Sequence, residues 1–153
     1  MSRLTASGGV FVLALSLFAA DSPFVGTWKQ NPTKSKMEGS GLGSNGIVRI
    51  EPDGAGLKVS VEATLQGQPN SFTYQATLDN KPIKVTGTPG FDEIWTMRGG
   101  DNRTMTASGR KAGAVVFTDQ RVVSGNGKTM TIFRSGTNAE GKPFKATMVF
   151  DRQ

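Results

Sequence analysis

Leu57-Lys58-Val59-Ser60-Val61-Glu62-Ala63-Thr64-Leu65 alternates apolar and polar residues without a break. A period of two is the mark of a strand with one buried and one wet face. Ser71-Phe72-Thr73-Tyr74-Gln75-Ala76-Thr77-Leu78 repeats the pattern, and so does Phe144-Lys145-Ala146-Thr147-Met148-Val149-Phe150. Less regular strand candidates cover 24–30, 46–51, 82–86, 92–98, 103–110, 114–124 and 128–135.

The breaks between these stretches carry turn residues. Examples are Pro52-Asp53-Gly54, Gly67-Gln68-Pro69-Asn70, Asp79-Asn80, Thr88-Pro89-Gly90, Gly99-Gly100-Asp101-Asn102, Gly125-Asn126-Gly127 and Asn138-Ala139-Glu140-Gly141. Gly and Asn tolerate positive φ, and Pro interrupts ladder pairing. Many short strands joined by short turns predict an antiparallel up-and-down meander. An open meander would expose two edges, and closing it removes them. The expected fold is therefore all-β, a single antiparallel up-and-down β-barrel of 8–10 strands. Residues 31–46 are rich in Gly and Ser, which oppose a stable helix. They read as a mobile loop after the first strand.

The first twenty residues have a different character. Arg3 is the only charge before Asp21, and between them runs Val10-Phe11-Val12-Leu13-Ala14-Leu15-Ser16-Leu17-Phe18-Ala19-Ala20. A basic start, a short apolar run and small residues describe a secretory signal peptide over 1–20, cut near Ala19 or Ala20. Leu17 or Phe18 stands three residues before the cut, where a small residue is usual, and an uncleaved anchor is the alternative. The run is shorter than the roughly 20 apolar residues of a membrane span. The expectation is a secreted or periplasmic protein, with residues 21–153 as one barrel domain and no stable membrane insertion of the mature form. With no cysteine there is no disulfide, so the barrel must be stable through its own core.

Several functions find no support in the composition. There is no His and no Cys, so Ser-His and Cys-His catalysis and the usual imidazole and thiolate ligands of metals or haem are missing. No glycine-rich phosphate loop opens a helix. Asp92 and Glu93 are adjacent, so on a strand they point to opposite faces and cannot act as a carboxylate pair. Neither a catalytic residue nor a cofactor or metal is expected. The net charge of +6 would suit an acidic partner, but Lys and Arg are scattered and not interleaved with aromatics. No nucleic acid is expected.

Phe24-Val25-Gly26-Thr27-Trp28-Lys29 resembles the opening strand of the calycins, the lipocalins and intracellular fatty-acid-binding proteins. Gly127-Lys128-Thr129-Met130-Thr131-Ile132-Phe133-Arg134 and Thr147-Met148-Val149-Phe150-Asp151-Arg152 resemble the last two strands of a fatty-acid-binding protein. The resemblance is closest to exported bacterial lipocalin-like proteins of no assigned function. It implies that Gly26 and Trp28 close one end of the barrel, Trp28 as a ring filling the base and Gly26 by allowing close approach of strands. It also implies an interior that binds a small hydrophobic or amphipathic molecule. Two departures stand out. The helical portal of the fatty-acid-binding proteins is replaced by the Gly/Ser loop. Of their carboxylate clamp only Arg134 is carried over, because Met148 and Phe150 stand where the family has an Arg and a Tyr.

A turn at Asn126-Gly127 pairs Gly125 with Lys128, and counting outward pairs Val123 with Met130, Arg121 with Ile132 and Asp119 with Arg134. Asp119, Arg121 and Arg134 then share a face. Pattern alone lets that face look inward or outward, and the resemblance implies inward. One Asp between two Arg leaves one guanidinium for an anionic head group. Tyr74, Met148 and Phe150 complete the candidate lining, and Trp95 fits core, rim or cavity wall equally. The alternative is a non-enzymatic structural or interaction protein whose barrel is filled by its own side chains.

Overall fold

A computed structural model describes residues 21–39 and 43–153. The proposed signal peptide and its cleavage site lie outside the described residues. Among the described residues twelve strands form one antiparallel sheet: β1 (Gly26–Gln30), β2 (Lys36–Glu38), β3 (Ser44–Asp53), β4 (Gly56–Leu65), β5 (Gln68–Ala76), β6 (Asp79–Lys84), β7 (Thr86–Gly87), β8 (Glu93–Arg98), β9 (Thr104–Lys111), β10 (Ala114–Val123), β11 (Thr129–Thr137) and β12 (Pro143–Arg152). No helix occurs among the described residues.

The sheet runs β6-β8-β9-β10-β11-β12-β1-β3-β4-β5-β7, with β2 alongside β12. Its two ends are successive pieces of one stretch of chain. β6 pairs with β8 and β7 with β5, so residues 79–87 change partners midway and bring the ends together. The result is a nearly closed up-and-down barrel. All ten strands expected from the sequence are present. The one at 82–86 is split between β6 and β7.

Residues 31–39 are not the mobile loop that composition suggested. The Asn31 carboxamide oxygen accepts from the amides of Thr33 and Lys34, and the Ser35 hydroxyl donates to the Asn31 carbonyl. The chain then adds β2 beside β12, pairing Met37 with Ala146. An Asx turn followed by an edge strand satisfies this backbone, and neither needs a hydrophobic period to announce it. Another turn also differs. β4 and β5 meet through Gln66-Gly67, both at positive φ, so Pro69 lies inside β5 and not in the turn.

One end of the barrel is sealed around Trp28. Its ring is fully buried, and its indole N–H donates to the Phe24 carbonyl at 2.9 Å. Arg152, from the last strand, lies 4.1 Å over the ring. Its guanidinium donates to the carbonyls of Gly127 at 2.6 Å, Val25 at 2.5 Å and Pro23 at 2.8 Å. A single cation thus stacks on the indole and ties three chain segments together. Gly26 is explained by the same contact. A Cβ there would stand 2.2 Å from an Arg152 nitrogen, and its φ of +145° disfavours any side chain. The glycine makes room for the guanidinium.

Candidate functional site

The inward residues of β10, counted from the Trp28 end, are Val123, Arg121, Asp119 and Phe117, all buried. Their partners on β11 are Met130, Ile132, Arg134 and Gly136. This is the register expected from the sequence, and its charged face looks into the barrel. The hairpin turn differs from the expected two-residue form. Gly127 has positive φ but Asn126 does not, and the Gly127 amide donates to the Ser124 carbonyl at 2.9 Å. Gly125 and Lys128 flank the turn symmetrically, so the register is unchanged.

Asp119 is the hub of the interior. Its side chain is wholly buried, and Arg134 grips it in fork fashion, Nε to Oδ1 at 2.6 Å and Nη2 to Oδ2 at 2.8 Å. Arg121 adds Nη2 to Oδ2 at 2.9 Å and donates through Nη1 to the Tyr74 hydroxyl at 2.6 Å. Tyr74 comes from β5 across the barrel, so the network ties opposite walls together. Burial works to raise the Asp119 carboxyl, but Arg134 and Arg121 outweigh it and hold it below the usual carboxylate range. Two guanidiniums and one carboxylate leave one net positive charge. Arg121 is nearly buried, whereas the Arg134 side chain is 22% exposed, so the charge is reached from the Arg134 side.

Aromatic rings close in above. Arg134 lies 4.0 Å over the Phe117 ring. Phe91 meets Phe117 edge-on at 4.9 Å and Phe72 at 5.4 Å, and Phe72 stacks on Tyr74 at 6.3 Å. Phe117 pairs with Gly109 on one side and Gly136 on the other. A Cβ at Gly109 would stand 2.1 Å from its ring, so glycine is what lets the ring lie flat. Phe91 rides on the turn between β7 and β8, next to Gly90 at φ +86°.

The remaining candidate residues divide between the interior and the outer face. Met148 and Phe150 are buried, but they pair with Ile132 and Met130, deeper towards the Trp28 end. Trp95 is on the outside of β8, where Ile94 and Thr96 point inward. Sequence reading missed Arg152, Phe91 and the buried Gln30, whose Oε1 accepts from the Gly46 amide at 2.9 Å. A cavity of about 20 Å³, room for one water, lies between Phe24, Leu57, Leu78 and Met105. A shallow groove of about 400 Å³ lies on the outer face of β8–β11. Among the described residues, no group of three His, Cys, Asp or Glu is placed to hold a metal ion. The chain matches no known protein-family model and none of the curated proteins.

Proposed function

We propose that the barrel is a non-enzymatic carrier that takes a small hydrophobic or amphipathic molecule into its interior past the partly exposed Arg134. The observation that carries this reading is the uncancelled positive charge of the Asp119–Arg121–Arg134 network inside a barrel whose other buried residues are uncharged and mostly apolar. Burying an extra charge is costly unless something compensates it. An anionic or strongly polar head group arriving beside Arg134 would do so, while its apolar part displaces the Phe72 and Phe91 rings. Phe91 sits in a turn with adjacent glycine, which suits a side chain that must swing. The calycin resemblance of the Trp28 strand points the same way.

The test is a titration with an environment-sensitive fluorescent fatty acid, comparing wild type with Arg134→Met. Saturable binding by the wild type is expected, weakened at least tenfold in the variant, since a hydrogen bond to a charged group contributes about 1.5–3 kcal/mol. Absence of binding by the wild type, across fatty-acid and neutral lipid probes, defeats the proposal. One observation favours a second reading in that event. The inward positions are filled by the chain's own side chains, as suits a structural or interaction protein.

We also propose that the protein is exported. Its mature N-terminus, determined by intact-mass measurement of the protein from its source, is expected near Asp21. Recovery of the chain from the cytosol with Met1 or Ser2 at its start counts against export.

A further inference from the structure

The groove on the outer face has a chemistry unlike the rest of the surface. Cross-strand pairing aligns Trp95, Ser108, Thr118 and Ser135 in one row over β8–β11. The next row is Met97, Thr106, Gln120 and Phe133. None of these eight residues is ionisable, in a chain carrying 18 Lys and Arg and 12 Asp and Glu; Asp119 meets the groove only from beneath, its side chain wholly buried, and Lys145 borders it beside Ser135. Trp95 and Phe133 stand at diagonally opposite corners. Three interstrand steps separate their strands, roughly 14 Å. Phe133 is 47% exposed and Met97 is 46% exposed.

The floor between the corners is made of hydroxyls and one carboxamide. Thr118 and Ser135 bring their hydroxyls within 3.3 Å of each other. Trp95 is held in place: its indole N–H donates to the Glu93 carboxylate, and Arg110 lies 4.3 Å from its ring centre. Those two contacts engage one acid and one base at the Trp95 corner with the indole. They also fix the ring before anything binds, which lowers the entropy lost on binding.

We infer that this groove binds an uncharged oligosaccharide. A sugar ring presents apolar C–H faces, which stack on aromatic rings, and a rim of hydroxyls, which exchange hydrogen bonds with Ser, Thr and Gln. The match in charge is part of the inference, because an uncharged surface neither attracts nor repels a neutral glycan. An acyl chain would need continuous apolar surface, and the hydroxyl rows interrupt it. A protein partner would be expected to find its aromatic anchors clustered, whereas these stand apart.

The test uses the full mature chain on an array of neutral glucose, mannose and N-acetylglucosamine oligomers, followed by titration of the tightest binder. Wild type is expected to bind at least one neutral oligomer. Trp95→Ala and Phe133→Ala are expected to weaken it at least tenfold each, as for aromatic anchors generally. Both variants should keep the wild-type far-UV circular dichroism spectrum at the titration temperature, which separates lost contact from lost fold. Thr118→Val, which keeps the shape and removes one hydroxyl, should weaken binding several-fold. If no neutral oligomer binds, or if Trp95→Ala and Phe133→Ala bind as well as wild type, the inference fails. It also fails if sedimentation shows a wild-type dimer that Phe133→Ala dissociates, because the face is then a self-interface.

Discussion

Asp119→Asn is expected to lower the unfolding free energy by about 3–5 kcal/mol, the usual cost of breaking a buried ion pair from one side. The reason is what stays behind. Arg121 and Arg134 cannot shed their charge, and without the carboxylate they repel each other inside the barrel. The reverse experiment separates this account from simple loss of packing. Replacing all three together, Asp119→Leu with Arg121→Met and Arg134→Met, removes every stranded charge and is expected to restore most of the stability. Urea midpoints of the three proteins decide it, and a triple variant weaker than Asp119→Asn alone would sink the argument. A pH signature follows. The Asp119 carboxyl is depressed in the folded state, so its contribution is present above the ordinary carboxylate value of about 3.9. It is lost as pH falls through the lower folded value. The gap between wild type and Asp119→Asn should be constant near neutrality and shrink below about pH 4.

Trp28→Ala is expected to cost about 3–5 kcal/mol, the range for deleting a large buried ring. In a domain of this size that lowers the thermal midpoint by about 10–20 °C. The loss has two parts. The emptied volume at the barrel's end is one. The other is the surface on which Arg152 stacks, and without it the guanidinium keeps its three carbonyls but loses the ring beneath it. Trp28→Phe refills part of the space and should recover part of the stability, though it lacks the N–H that bonds the Phe24 carbonyl. An unchanged midpoint for Trp28→Ala would show that this end is held by something else.

Strand positions were legible wherever a strand has one wet face. The alternation of 57–65 maps onto β4, and the 119–134 pairing was readable because a symmetric turn preserves register whatever its type. What was not legible depends on distant partners. Tyr74 and Arg121 lie 47 residues apart on opposite walls, and no local pattern joins them. Glu93–Arg98 offers two faces, and the sequence alone does not choose between Trp95 with Met97 and Ile94 with Thr96 for the core. The chain buries Ile94 and Thr96, because the Thr96 hydroxyl accepts from the Leu78 amide where the barrel closes. Arg152 is one Arg among many until the fold lays it on Trp28. The small β2 escaped for a related reason: it is three residues long, and Met37 alone packs against the core, too little to show a period.

The bond from Arg152 to the Val25 carbonyl joins residues 127 apart in sequence. Most hairpins of this barrel close over a few residues each, the β1–β3 connection being the longest. Loop-closure entropy grows slowly, by about 0.6 kcal/mol per doubling of length, so this long span takes little from equilibrium stability. Its weight falls on the kinetics. Hairpins zip locally in microseconds, whereas β1 must find β12 after nearly the whole meander is in place. Until then β1 and β12 are bare edges, open to pairing with another chain. Contact order thus places the Trp28–Arg152 clasp among the late events expected in folding, with aggregation through the open edges the hazard before it forms.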